Sequence, residues 1–351
     1  MRIVVDIMSG DNAPLQPLLG VCRAAEQKWC EGVEFTLVGD EKVIRELASE
    51  NKLDISRFEI RHADDVIVME DEPMSIMREK KNSSMGVGLR ALAAGEGDAF
   101  VSCGNTGALF CGSSLIVKRV KGIQRAAIGA LLPLTKPVML IDSGANVKVN
   151  DEYLHQFAIM GSAYMKALYN VGSPEVAIIN NGSEETKGTE LQLAAYERFS
   201  KSKFINFVGN VEGNRIPFGA CDVAVCDGFV GNVLLKSIEG MGKLMSTELK
   251  KIFKKNIFTI IGALFVKKGL SDFKKKFDAK EHGGAPILGI SKTVIKAHGS
   301  SDAKAFSNAI RQAVNCLKTG VVDIIAREAA LLAEEKKAAE AASAAENTAN
   351  E

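Results

Sequence analysis

Short apolar runs, rich in valine and isoleucine, alternate along most of the chain with longer stretches whose apolar residues recur every three or four positions. The runs Ile3–Ile7, Glu34–Val38, Ala99–Ser102, Ala127–Leu132, Val138–Asp142, Glu175–Asn180, Phe204–Val208 and Val223–Cys226 predict strands. Most lack an in/out alternation, as strands buried on both faces do. The periodic stretches Glu41–Glu50, Met85–Ala94, Thr106–Val117, Tyr153–Tyr169 and Glu190–Phe199 predict helices. Strand and helix in this rhythm predict an α/β fold, a doubly wound and largely parallel sheet. From Phe229 the rhythm changes. A long helical pattern runs towards Lys255, and a lysine-rich apolar stretch follows to Lys276, expected to protrude as a helical segment. A glycine-rich return, Gly283–Pro286, precedes a last helix near Asp302, with Ser300 or Ser301 expected as its N-cap. We expect one α/β domain over 1–327, including the 250–276 segment, and an Ala/Glu tail over 328–351 that is frayed or disordered.

Composition narrows the partners. With 46% hydrophobic and 25% charged residues the chain is globular, and Lys+Arg 44 against Asp+Glu 43 leaves no global field. A nucleic-acid partner is therefore not expected. The seven cysteines form no CxxC pair and have no histidine close in sequence, so no metal site is expected and a reducing cytosol is. Asp6 interrupts the first apolar run at once, and no stretch reaches the roughly 20 apolar residues of a membrane span. The expectation is a cytoplasmic protein.

In open α/β sheets ligands bind beyond the carboxyl ends of the strands. The loops there are Asp6–Asp11, Ser102–Gly107, Asp142–Asn146, Asn180–Gly188 and Asp227–Asn232. They nominate Asp6, Gly10, Asp11, Ser102, Gly104, Asn105, Thr106, Gly107, Asp142, Asn146, Glu184, Glu185, Lys187, Asp227, Gly228 and Asn232. Each loop mixes glycine with Asn, Asp, Ser or Thr, and most open a helix, a combination that offers N–H groups to an anion. Singly, each is also ordinary turn and capping chemistry; five at one sheet edge would favour a polar, phosphate-like ligand. Neither GxxxxGK[ST] nor GxGxxG occurs, which counts against nucleotides and against an organic cofactor. Positive groups come from Lys80-Lys81-Asn82-Ser83-Ser84 and from Lys296-Ala297-His298-Gly299-Ser300, where Lys296 and His298 share one face of an extended segment. The first cluster reads equally well as a solvated turn. No GxSxG elbow is present, and Cys103 is expected to be an inert buried thiol.

These segments resemble, in order, the phosphate acyltransferases of bacterial phospholipid synthesis, the PlsX family. The matching stretches are Val5–Asp11, Lys80–Met85, Ala99–Ala108, Asp142–Val147, Glu184–Gly188, Asp227–Asn232, Gly284–Gly289 and Lys296–Asp302, and they span about residues 1–325. Ser9, Cys103, Ser143 and Lys148 depart from the family pattern. The resemblance implies a homodimer with a fold similar to isocitrate and isopropylmalate dehydrogenases and phosphotransacetylase. It implies an acyl carrier protein as donor, inorganic phosphate as acceptor, and a membrane glycerol-3-phosphate acyltransferase receiving the acyl-phosphate. On that reading phosphate is itself the nucleophile and the protein positions it. Lys187, His298 and Asn105 are then the candidates for charge stabilisation, proton management and oxyanion binding. Lys81, Ser84, Lys296 and Ser300 join the strand-end loops as phosphate or substrate ligands. Alternatives are a phosphotransacetylase-like enzyme of short acyl-CoA and a non-catalytic membrane scaffold.

Between Lys250 and Lys276 stand nine lysines and one acid, Asp272. Phe253, Ile257, Ile260, Ile261 and Leu264, with Phe265 beside them, fall at helical spacing between lysines, a pattern suited to an anionic membrane surface or an acidic carrier protein. The plainer reading is a helix buried against a dimer partner.

Overall fold

A computed structural model describes residues 1–276 and 283–349. The first part runs β1 (Arg2–Asp6), α1 (Leu15–Ala25), β2 (Glu34–Gly39), α2 (Glu41–Glu50), β3 (Glu59–His62), α3 (Ser84–Ala93), β4 (Ala99–Ser102) and α4 (Thr106–Gly112). The second runs β5 (Ala127–Pro133), β6 (Pro137–Ile141), α5 (Asp151–Tyr169), β7 (Glu175–Asn180), α6 (Glu190–Ser200), β8 (Asn206–Glu212) and β9 (Val223–Val225). A helical pair follows, α7 (Gly228–Phe253) and α8 (Ile257–Lys276). The chain returns as β10 (Ala285–Leu288), β11 (Thr293–Lys296), α9 (Ala303–Thr319) and α10 (Val321–Ala349).

The eleven strands form one sheet in the order β3-β2-β1-β4-β11-β10-β5-β6-β9-β7-β8. β1, β4 and β6 are apolar runs buried nearly throughout, as the absence of alternation predicts. Helices cover both faces, so the sheet is doubly wound. One core cluster runs under α1, α5, α6 and α9, and two smaller ones fill the opposite face under α3 and α4 and under α7. α1, β3, β10 and β11 were not read from the sequence. β3 (Glu-Ile-Arg-His) has no apolar run, and α1 is interrupted by Pro17 and Gly20.

Three antiparallel pairings at the centre of the sheet decide where its loops point. β10 is antiparallel to both β11 and β5, and β5 is antiparallel to β6. The half containing β1, β4 and β11 therefore runs opposite to the half containing β6, β9 and β7. This overturns the expectation of five loops at one edge. The register still brings two sets together. Ile295 pairs with Pro286, Ile287 with Ile128, and Gly129 with Ile141. The ends of β11 and β6 thus lie close to one level, pointing at each other from opposite sides of β10 and β5.

Local chemistry fixes the elements in place. Asp40, Ser83, Asn105, Asn150, Asp227 and Asp302 each cap the helix that follows. Asp302 therefore takes the capping role expected of Ser300 or Ser301, since both serine side chains are engaged with His298. Gly231 is required by close approach: a Cβ there would lie 1.9 Å from the Asp142 carbonyl oxygen. The expected stripe through Phe253 and Ile257 is not continuous. The chain turns between α7 and α8, where the Asn256 side chain caps α8 through Thr259 N–H at 3.0 Å. On α8 the apolar side chains Phe258 and Phe265 are as open to solvent as Ile257 and Leu264, so its apolar surface is not one stripe. The tail continues as helix α10 to Ala349, consistent with the high helix propensity of alanine and glutamate; residues 350–351 lie outside the described residues. Among the described residues no helix is long and apolar enough to cross a membrane.

Candidate active site

A cavity of about 580 Å³ opens where the ends of β11 and β6 converge. Asp11, Thr106, Lys296, His298 and Gly299 line one end of it, and Ser143, Gly144 and Asn232 a second side. The remainder is mainly apolar, from β5 and the inner face of α7, with Lys236 and Glu239 of α7, paired at 2.9 Å, also on its wall. Loop 9–11 is pressed against the β4 and β11 ends: Asp11 N–H donates to the Gly299 carbonyl at 2.9 Å. Gly10, at φ +112°, could carry no side chain there, because its Cβ would meet the Cys103 sulfur at 2.6 Å.

Lys296 is the unusual group. It is buried at the end of β11, and its ammonium donates to the Ala297 carbonyl. No carboxylate of the described residues forms an ion pair with it. Burial pulls its pKa down to about 8; Cys103 and Asp11 resist the fall, while Lys236 adds to it. A buried cation with no ion-pair contact among the described residues is expensive to keep, and an anion in the adjoining cavity would relieve that cost.

His298 sits two residues on, at the mouth of the same cavity. Its Nδ1 faces the Ser300 backbone N–H at 3.2 Å and the Ser300 hydroxyl at 3.0 Å. Accepting at Nδ1 places the imidazole proton on Nε2. The Ser301 hydroxyl donates to the His298 carbonyl at 2.6 Å, closing the turn that presents the ring. Partial burial and the positive charge of Lys236 hold the imidazole below its ordinary pKa, with Lys296 and Lys243 acting the same way and Glu239 opposing them.

Two buried carboxylates are committed to the scaffold. Asp142 Oδ1 accepts from the backbone N–H groups of Ile128, Gly144 and Ala145 at 3.1–3.2 Å. Its Oδ2 accepts from the Asn146 backbone at 2.6 Å and the Asn146 amide at 2.8 Å. Asp6 accepts from the Ser102 hydroxyl at 2.8 Å and from Met8 N–H at 3.2 Å. Burial raises the pKa of both.

The whole-chain comparisons agree with one another. Residues 1–324 match the family model described as "Fatty acid synthesis protein". The "Phosphate acyltransferase" of Thermoanaerobacter pseudethanolicus is 45% identical over 329 residues, 93% of this chain and 97% of the relative. The protein of the same name from Caldanaerobacter subterraneus subsp. tengcongensis is 44% identical, over 95% of this chain and 99% of its own length. The chain belongs to the phosphate acyltransferase family. Among solved structures, a phosphotransacetylase from Streptococcus pyogenes matches with a TM-score of 0.56 at 15% identity, over 91% of this chain and 94% of that one. A branched-chain phosphotransacylase from Enterococcus faecalis V583 matches at 0.55 and 14%, over 90% and 98%. These two likenesses establish the fold.

Within this family member the sequence candidates separate into three groups. Asp11, Thr106, Asn232, Lys296 and His298 meet at the cavity, with Gly10 and Ser300 supporting them. A second group lies beneath it as scaffold. Ser102 holds Asp6 and accepts from Gly104 N–H at 3.1 Å, and Gly107 packs on Pro73. Ser84, buried at the start of α3, opposes the upward shift of Asp6. Asn105 is corrected from oxyanion donor to positioning residue. Its amide N–H₂ is spent on the carbonyls of Val68, Met69 and Asp71 at 3.1–3.2 Å, and its oxygen caps α4. Asp142 and Asn146 brace their own loop, Asp227 caps α7, and Gly228 lets that helix touch Asn146.

The third group is apart from the cavity. Glu184, Glu185 and Lys187 lie on the exposed loop after β7, separated from β5 by β9 and β6. Lys81 is exposed, and its neighbour Lys80 makes the ion pairs, to Asp65 at 2.9 Å and Asp71 at 3.8 Å. Cys103 is inert as expected: its thiol donates to the Ser9 carbonyl at 2.8 Å, and burial pushes its pKa up to about 12. Sequence reasoning missed Lys236, Glu239 and the apolar wall. The signal was present in α7, where 232, 235, 236 and 239 follow helical spacing on one face.

Proposed function

We propose that this acyltransferase moves a long fatty acyl group from the thioester of acyl carrier protein to inorganic phosphate, giving an acyl-phosphate for phosphatidic acid synthesis. The observation that carries this reading is Lys296, a buried ammonium with no ion-pair partner among the described residues, at the polar end of a largely apolar cavity. Phosphate held there by Lys296 and Thr106 attacks the thioester carbon. The C–O bond forms, the C–S bond breaks with its electron pair on sulfur, and the thiolate, steadied by a hydrogen bond from His298 Nε2–H, takes up the proton that leaves the phosphate. The enzyme needs no nucleophile of its own and contributes mainly positioning and electrostatic preorganisation. The test is release of thiol from palmitoyl-acyl carrier protein with and without phosphate, with hydroxylamine as trap. Phosphate-dependent release with an acyl hydroxamate supports the reading; no release from folded protein overturns it.

Reversible membrane attachment belongs to the same proposal, with the product passing to a membrane glycerol-3-phosphate acyltransferase. Ile260, Ile261, Leu264 and Phe265 of α8 are exposed, and Lys254, Lys255, Lys267 and Lys268 flank them. Flotation with anionic liposomes that is unchanged when Ile260, Ile261 and Phe265 become Ser would sink this part. A homodimer through α7 is supported by its uncovered Val233, Met241 and Leu244, and sedimentation velocity tests it.

A further inference from the structure

The cavity has a second end that phosphate chemistry does not explain. Ile128, Ala130 and Leu132 stand on one face of β5, because alternate strand residues share a face. Leu235 and Ile238 of α7 face them across the cavity, and Leu134 closes the far end beyond β5. The Ser143 hydroxyl, which borders this stretch, already donates to the Ile128 carbonyl at 3.0 Å. The wall therefore offers a ligand mainly apolar contact, the charges of Lys236 and Glu239 beside it being paired to each other at 2.9 Å. The register sets Lys296 level with Ala285 and, through it, with Ala130, so one ligand can lie across both: an anionic or carbonyl head at the lysine and an unbranched hydrocarbon crossing β10 to β5.

We propose that this apolar lane between β5 and α7 is the acyl-chain subsite, and that Ala130 sets the length of chain it accepts. The inference rests on the acyltransferase reading for its chemistry and on the lining side chains for its location. Ala130 is the smallest side chain in the lane and stands between two larger ones, Ile128 and Leu132. A larger group there would block the lane partway along its length. A short chain would end before the block, whereas a long one would have to cross it. Leu235 makes the same argument from the opposite wall.

The test compares wild type with Ala130→Phe and Leu235→Phe, each checked for cooperative unfolding. Phosphate-dependent transfer is followed with octanoyl and palmitoyl thioesters, and binding with cis-parinaric acid displaced by palmitate. Each substitution is expected to lower the palmitoyl-to-octanoyl ratio of kcat/KM about tenfold or more, the range a change of pocket size supports. Each is also expected to weaken fatty-acid displacement in parallel. A ratio that stays put in both folded variants, with displacement unchanged, overturns the lane. Displacement that weakens in the variants, while wild type transfers no acyl group to phosphate, keeps the lane and overturns the catalytic reading instead.

Discussion

Asp142 and Lys296 stand at the ends of β6 and β11, both buried, both charged residue types, and both nominated by the sequence as ligand-binding. Their surroundings differ completely. Five hydrogen-bond donors surround the Asp142 carboxylate, four from the backbone and one from the Asn146 amide. Lys296 has one backbone carbonyl and, among the described residues, no ion pair. A buried charge whose hydrogen bonds are complete is part of the scaffold, since displacing any of them for a ligand would cost as much as the ligand returns. A buried charge left incomplete is where a ligand of opposite sign gains most. The comparison makes Asp142 part of the scaffold and Lys296 the residue proposed to hold phosphate, although their loops look alike in sequence.

The largest break in that comparison is Lys296→Met. It should lower phosphate-dependent turnover about a thousandfold, the loss typical of a removed electrostatic stabiliser. In phosphate-free buffer at pH 7 the same variant should be more stable than wild type, by up to about 3 kcal/mol. That figure is the separation between a pKa of about 8 and the ordinary 10.5. Urea denaturation measures it, and a variant that is both less active and less stable would contradict the assignment. Asp142→Ala should do the reverse. It strands several backbone donors and should cost about 3 kcal/mol in the same denaturation series.

A subtler test uses pH. The pKa of Lys296 is lower in the folded protein than in the unfolded chain, so between about pH 8 and 10.5 the unfolded chain holds the extra proton. Stability without phosphate should therefore rise with pH across that window, relative to Lys296→Met. Over the same window kcat/KM should fall, because the cation that holds phosphate is being lost. Opposite slopes in the two measurements identify the group, and added phosphate should move both upward in pH. The smallest effect belongs to Cys103→Ala. Removing a buried thiol should cost about 1 kcal/mol and leave turnover intact, because the thiol only packs and donates to Ser9. Loss of turnover would reinstate a role for the thiol in the chemistry.

Much of this architecture was legible beforehand. Runs such as Ile3–Ile7 and Val138–Asp142 announced buried strands, and Asp227 marked the start of a long helix. Lys296, His298 and Asp11, candidates from residue type and strand-end position, line the cavity. Asn105 could not be told from a ligand, because its amide partners lie more than thirty positions back, in loop 68–71. Lys187 was a candidate for charge stabilisation beside His298; the reversal through β10, β5 and β6 places its loop beyond two further strands.

By itself the sequence determined the alternation of strands and helices and the chemical types available at the strand ends. Those depend on neighbours within a turn or a strand, where periodicity and capping act. Tertiary structure alone decided which strand ends face each other, and which buried charges find partners. Both depend on pairing between segments far apart in the chain: β11 beside β4, and β5 between β10 and β6. That pairing buries the Lys296 ammonium without bringing a carboxylate of the described residues into contact with it.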